Sequence, residues 1–270
     1  MKSLSKNMRD ALKIILSTEE TKQINKNTLN SLSTRKFIHD NQLTREGWLY
    51  AISLLHLNAQ CKILNLELIE LNLNHTDRPE VSALRYFENN GYIGSHIEGT
   101  TIFNILKALM LDKLHCYNPF HDRNDACARF LEAQFTILKE KSEELISEIL
   151  QTPKSIFLKN FDEIKNHPFI SSNYPELDIR FAEKLFDIID KQHLVNIAKK
   201  FSEAPYRYRS GWPDLTLIKG NQIEFVEVKT TDKLHLSQID TISTMKQVIP
   251  YTFKVLRLTR SNIKNSNICL

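Results

Sequence analysis

Between Asp214 and Leu258 the chain reads as strand, turn, strand, helix, strand. Asp214-Leu-Thr-Leu-Ile218 has strand character, Lys219-Gly220-Asn221 supplies a turn, and Ile223 to Lys229 is a second strand rich in Val, Ile and Phe. Leu236, Ile239, Ile242 and Met245 follow at helical spacing, and Tyr251 to Leu258 returns to strand alternation. That order specifies an α/β unit. Within it, the period of two along a strand turns Glu227 and Lys229 to one face while Val226 and Val228 pack behind. Two charges in an apolar strand are costly to bury unless they pair or bind an ion, so their presence needs a chemical reason.

The rest of the chain reads as mostly helical. Six glycines in 270 residues leave few positions for tight hairpins and argue against an all-β sandwich or barrel. Hydrophobic residues at 41% and charged residues at 25% match a folded globular protein, and the length gives one to two domains. Cys61, Cys116, Cys127 and Cys269 form no C-x-x-C pair, so neither a zinc ribbon nor a disulfide framework is suggested and a reducing compartment is expected. Lys6, Arg9, Asp10 and Lys13 interrupt the first apolar stretch, so no signal peptide is expected, and no apolar run approaches the roughly 18 residues of a bilayer span. The expectation is a cytoplasmic protein with no membrane partner.

Charge is unevenly placed. The first 50 residues hold nine Lys/Arg against five Asp/Glu, an excess equal to the net charge of +4 of the whole chain. Leu4, Met8, Leu12, Ile15 and Leu16 predict one helix, Leu29, Leu32 and Phe37 a second, and a third from about Thr44 through Trp48, Ile52 and Leu55 towards Cys61, Leu64 and Leu66. Residues 1–78 are thus expected to form a basic, winged-helix-like module with a reduced wing, a helical cap being the alternative. Asn72 to Glu80 is the linker candidate. Residues 79–270 are expected to form the second unit, with a helical insertion over about 115–205 between an apolar helix at Ile102 to Leu111 and the strands.

Asp214 heads the strand next to Glu227 and can bring a second carboxylate to the same site. Two hard oxygen ligands, with a lysine beside them to position or deprotonate water, are what metal-assisted phosphodiester cleavage requires. The tripeptide E-x-K is common, as Glu20-Thr-Lys22 and Glu163-Ile-Lys165 show, but those two lie in polar, helical segments. Pro213-Asp214 occurs once and precedes Glu227 by room for one strand, a turn and a second strand.

Gly211-Trp-Pro-Asp214-Leu, Phe225-Val-Glu227-Val-Lys229 and a following helix bearing Gln238 resemble the VRR-NUC branch of the PD-(D/E)xK nuclease superfamily. Upstream, Gly94-Ser-His-Ile-Glu98-Gly99 resembles the E-G helix of the Fanconi-associated nuclease group, and Asn118-Pro-Phe-His121 the segment after it, so the likeness covers roughly residues 79 to 260. The resemblance implies a restriction-endonuclease-like α/β core. It implies that Asp214, Glu227 and the main-chain carbonyl of Val228 hold Mg²⁺ or Mn²⁺, that Glu98 completes the acidic cluster, that Lys229 orients the attacking water and that Gln238 supports the site. Thr230-Thr231 stands where the family often has Gly-Pro, and Ser237 where a basic residue often precedes the glutamine. Glu98 has a second reading as a helix-end acid, and His96 and Trp212 read as structural. Tyr206-Arg207-Tyr208-Arg209 reads either as a DNA-binding edge or as a partly buried approach to the strand.

The expected function is metal-dependent hydrolysis of DNA, selective for flapped or branched structures in repair. Two alternatives stand beside it: a delivered toxin nuclease held by an immunity protein, and a non-catalytic DNA-binding protein on a nuclease scaffold.

Overall fold

The computed structural model describes residues 4–73 and 77–259. Part of the expected linker, 74–76, and Cys269 lie outside them. Helices and one mixed five-stranded sheet build the protein. Leu4, Met8, Leu12, Ile15, Leu32, Phe37, Ile38 and Ala51 form a small core of their own at the N-terminal end, under the helices Lys6–Thr18, Lys26–Thr34 and Arg45–Ser53. A minimal antiparallel hairpin, β1 (Ile38–His39) and β2 (Gln42–Leu43), reverses at Asp40 and Asn41, both left-handed as a two-residue turn demands. This hairpin precedes the third helix. Thr44 caps that helix by accepting from the amide of Gly47 at 3.1 Å.

The segment after Ser53 departs from the expected long amphipathic helix. The chain restarts as Leu57–Leu64, ends where Asn65 turns left-handed, and enters strand β3 (Glu67–Asn72). β3 is an edge of the main sheet, so residues placed in the N-terminal unit by sequence contribute to the second layer of the fold. The strand β4 (Ile93–Ser95) likewise interrupts a region read as wholly helical.

With β5 (Leu215–Lys219), β6 (Gln222–Lys229) and β7 (Thr252–Thr259), the sheet order is β3-β7-β6-β5-β4. β3, β7 and β6 run parallel, whereas β5 is antiparallel to both β6 and β4. Alternation sorts the faces. Val226 and Val228 join Leu215, Leu217, Leu256 and Leu258 beneath the helix Pro79–Asn89 through Ala83, Leu84 and Phe87. Phe225, Ile223, Phe253 and Val255 face the larger core, shared with the helices Thr100–Tyr117 and Leu236–Val248 and with the helical layer between 123 and 208. No helix among the described residues is long and apolar enough to cross a membrane.

Candidate active site

Glu227 and Lys229 share the face of β6 that lies under the start of the Leu236–Val248 helix. Glu227 is 0% exposed and Lys229 5%, and Lys229 Nζ sits 3.0 Å from Glu227 Oε1. The Gln238 amide also donates to Oε1. Asp214, immediately before β5, accepts the Val228 amide at Oδ2 over 2.8 Å, which ties the two strands together where their charges meet. Its charge acts on the neighbouring Glu227 carboxyl group. The structure therefore brings together Asp214, Glu227, Val228, Lys229 and Gln238.

Local sequence explains why the chain arrives there. Gly211 has φ +80°, and a Cβ at that position would meet Ser237 O at 2.2 Å, so glycine lets the loop before Asp214 touch the first turn of the Gln238 helix. Trp212 is buried, donates its indole N–H to Tyr208 O at 2.9 Å, and packs edge-on against Phe103 and Phe225. A Cβ on Gly99 would stand 2.7 Å from the Trp212 ring, so the missing side chain lets the Thr100–Tyr117 helix start against the strand that carries Asp214.

The electrostatics are unbalanced. Burial pushes the Glu227 carboxyl well above the usual range, and the neighbouring Asp214 charge pushes it further, only partly offset by Lys229. Asp214 is raised by burial against the counter-pull of the Val228 amide and Lys229. Burial alone would lower Lys229, but Glu227 and Asp232 outweigh it and hold the ammonium above its ordinary value. Glu227 Oε2 is buried with no hydrogen-bond donor.

Glu98 is left-handed at φ 49° and stands with Asp214 on the wall of a cavity of about 550 Å³. A non-glycine residue in that region stores strain, which concentrates at functional sites. Its carboxyl is raised by partial enclosure and then by the charge on Asp214. Glu80, at the first turn of the Pro79–Asn89 helix, lines the same cavity and raises both Glu98 and Asp214. Sequence reasoning passed over Glu80, because an acid in a first helical turn is ordinary. His96 lines the cavity 3.5 Å from Arg78 Nη2. Arg207 pairs with Asp240 and Arg209 with Glu132 at 3.0 Å, yet both guanidinium groups stay partly exposed and Arg209 lines the cavity, so the Tyr206–Arg209 run is braced on the protein with its cations still open to solvent.

Among the described residues no three His, Cys, Asp or Glu side chains converge closely enough to hold a metal ion as they stand. The Asp214 and Glu227 pair nonetheless fits a divalent cation in its chemistry. The two carboxylates stand side by side, the Asp214 charge raises the cost of ionising Glu227, and one Glu227 oxygen is orphaned. A hard cation satisfies all three conditions with oxygen ligands.

No protein-family model and no curated protein matches the chain. In fold it is similar to paFAN1 in two crystal structures. The paFAN1 structure bound to a 1-nt 5′-flap DNA with a gap superposes with a TM-score of 0.57 at 16% identity, over 87% of this chain and 46% of that one. The complex with a 2-nt 5′ flap gives 0.54 at 17%, over 94% and 48%. The chain spans just under half the length of those neighbours, and at this identity the likeness shows the fold.

Proposed function

We propose that this protein is a metal-dependent DNA nuclease of the VRR-NUC, PD-(D/E)xK type that hydrolyses phosphodiesters at flapped or branched DNA, with a role in repair. The observation that carries the reading is the half-buried Asp214 beside the buried Glu227, with Lys229 held charged 3.0 Å from Glu227, at the edge of a cavity lined by Asp214 and Glu98. The fold shared with a protein crystallised on 5′-flap DNA supports DNA as the substrate. Nothing in the geometry favours the delivered-toxin alternative, and no immunity partner is proposed.

Asp214 and Glu227 would hold Mg²⁺ or Mn²⁺, with the Val228 carbonyl as a further oxygen and Glu98 reaching in from the cavity wall. A cation bound there supplies positive charge to a phosphoryl oxygen and acidifies a bound water. Lys229, fixed on Glu227, presents N–H groups that aim a water and stabilise charge growing on the phosphate. Gln238 holds Glu227 Oε1 and keeps that carboxylate's other oxygen turned to the ligand side. The non-catalytic scaffold alternative makes the opposite claim about turnover.

A panel of labelled single-strand, duplex, 5′-flap and four-way substrates, each with Mg²⁺, Mn²⁺ or Ca²⁺, tests the reading. Cleavage in Mg²⁺ or Mn²⁺, strongest on flaps or branches and weak in Ca²⁺, is expected. Tight binding without cleavage under any metal overturns it.

A further inference from the structure

The short connection between Lys229 and the helix that carries Gln238 is held from outside, by the helices at 45–64. Gln60 is fully buried on the Leu57–Leu64 helix. Its side-chain amide donates to Ile52 O at 3.2 Å and to Leu234 O at 3.1 Å, and its oxygen accepts from Leu234 N at 2.8 Å. It thus pairs with both main-chain groups of Leu234 as a neighbouring strand would. Lys233 Nζ donates to Ser53 O nearby. Farther along the same helix, Arg45 Nη2 reaches Asp240 Oδ1 at 3.1 Å and Ser243 Oγ at 2.6 Å, and Lys246 Nζ reaches Leu64 O at 2.9 Å.

The contacts continue without a gap into the site. The residue after Leu234, His235, donates its amide to Gln238 Oε1 at 2.9 Å. The same Gln238 amide group donates to Glu227 Oε1, the oxygen that also receives Lys229. Lys229 is further tied to Asp232 at 3.3 Å inside the connection.

We propose that Gln60 is a positioning residue for the Glu227 carboxylate, acting through Leu234 and Gln238, so that the N-terminal helices set the geometry of the catalytic site. The proposal rests on reading Asp214, Glu227 and Lys229 as a metal-dependent nuclease centre. Residues 230–235 carry no regular structure and no strand partner. Their main-chain position is set by these few side-chain bonds together with the Leu234 side chain, which is buried in the larger core. A side chain with two donors and an acceptor, all satisfied in the core, fixes Leu234 in both directions along the chain. Releasing it frees His235, the residue against which Gln238 is capped, and Gln238 then loses the direction of its bond to Glu227. Partners one layer behind a metal ligand typically carry about ten- to a hundredfold in metal affinity or activity.

A double-mutant cycle of Gln60→Met and Gln238→Met in the full chain tests this. Two readouts are taken: single-turnover cleavage of a 5′-flap duplex in Mn²⁺, and Mn²⁺ affinity by calorimetry without DNA. Each single variant is expected to lose about ten- to a hundredfold in rate, with KM within about threefold, and the double variant to lose no more than the worse single one. Gln134→Met serves as the control, because Gln134 is a buried glutamine that makes two main-chain bonds, to Ala126 O and Arg129 O, within the helical layer. It is expected to lower the melting temperature without touching the rate. If Gln60→Met does not fold, Gln60→Glu, which keeps the acceptor for Leu234 N–H, replaces it in the cycle. Losses that multiply, or a folded Gln60 variant that cuts at the wild-type rate, overturn the proposal while the nuclease reading stands. A wild-type chain that cuts nothing overturns the nuclease reading instead. The Mn²⁺ isotherms then decide alone, with coupling between the two glutamines upholding Gln60 as a positioning residue for Glu227 and additivity sinking it.

Discussion

Lys229 on β6 and Lys107 on the Thr100–Tyr117 helix are equally removed from solvent, at 5% and 2% exposure, and their pKa values are shifted in opposite directions. Lys229 has two carboxylates within 3.3 Å and is held charged. Lys107 donates to the Cys127 carbonyl at 2.7 Å, and burial lowers its pKa to about 8. A carbonyl accepts a proton donor but does not neutralise a charge, so burial wins at one site and pairing at the other. Burial by itself therefore identifies no functional lysine. The partner does.

The largest break in that comparison is expected from exchanging each ammonium for an apolar side chain of similar length. Lys229→Met should lower cleavage by about a thousandfold, since it removes the buried cation on Glu227 Oε1, whereas Lys107→Met should stay within about threefold. Single-turnover rates on a 5′-flap duplex check both.

The second effect separates the lysines by pH. Lys107 is lowered in the fold, so the unfolded chain binds its proton first, and stability rises with pH between about 8 and the ordinary value of 10.5. Denaturant melts should show about 3 kcal/mol of this slope in the difference between wild type and Lys107→Met. A difference curve flat across that window refutes the lowered pKa of Lys107.

The carboxylates behave with the other sign. Asp214 and Glu227 are raised in the fold, so their contribution is full below the ordinary carboxylate range and is lost as pH rises through their folded values. A divalent cation cancels that loss. Mn²⁺ at about a hundred times its Kd should add about 2.7 kcal/mol, with a larger rise in melting temperature at pH 8 than at pH 6, and Glu227→Gln should abolish most of it.

How much of this was written in the sequence follows from the same contrast. β5 and β6 were legible because Ile223, Phe225, Val226 and Val228 fill a central, doubly covered sheet position, where apolar residues must run together. The edges were not. Glu67–Asn72 pairs on one side only and carries Glu67, Glu70 and Asn72, and Ile93–Ser95 is three residues long. The pairing of Glu227 with Lys229 follows from a period of two, a local rule. Gln60 meets Leu234 and Arg45 meets Asp240 across separations of 174 and 195 residues, and a glutamine on the inner face of a helix has no local signature of its partner. The hairpin between 38 and 43 escaped notice because its strands hold two residues each.

The smallest effect lies where the start of the helix bearing Lys107 meets Trp212, the ring that packs on Phe225 of β6. Gly99→Ala places a methyl group 2.7 Å from the Trp212 ring and should cost about 2 kcal/mol of stability, read from thermal melts, as the helix start is pushed off the strand. An unchanged melt means the ring shifts freely, and the two elements are then coupled more loosely than their packing implies.

The central claim is that the Asp214 and Glu227 carboxylates, with Lys229 held charged beside them, perform metal-dependent cleavage. Wild type, Lys229→Met and Lys107→Met, assayed side by side on one labelled 5′-flap duplex with and without Mn²⁺, test it most directly. Cleavage by wild type and Lys107→Met in Mn²⁺ only, with Lys229→Met still binding the duplex but failing to cut, is the predicted result. Equal rates for all three, or cutting that persists without a divalent metal, would contradict it.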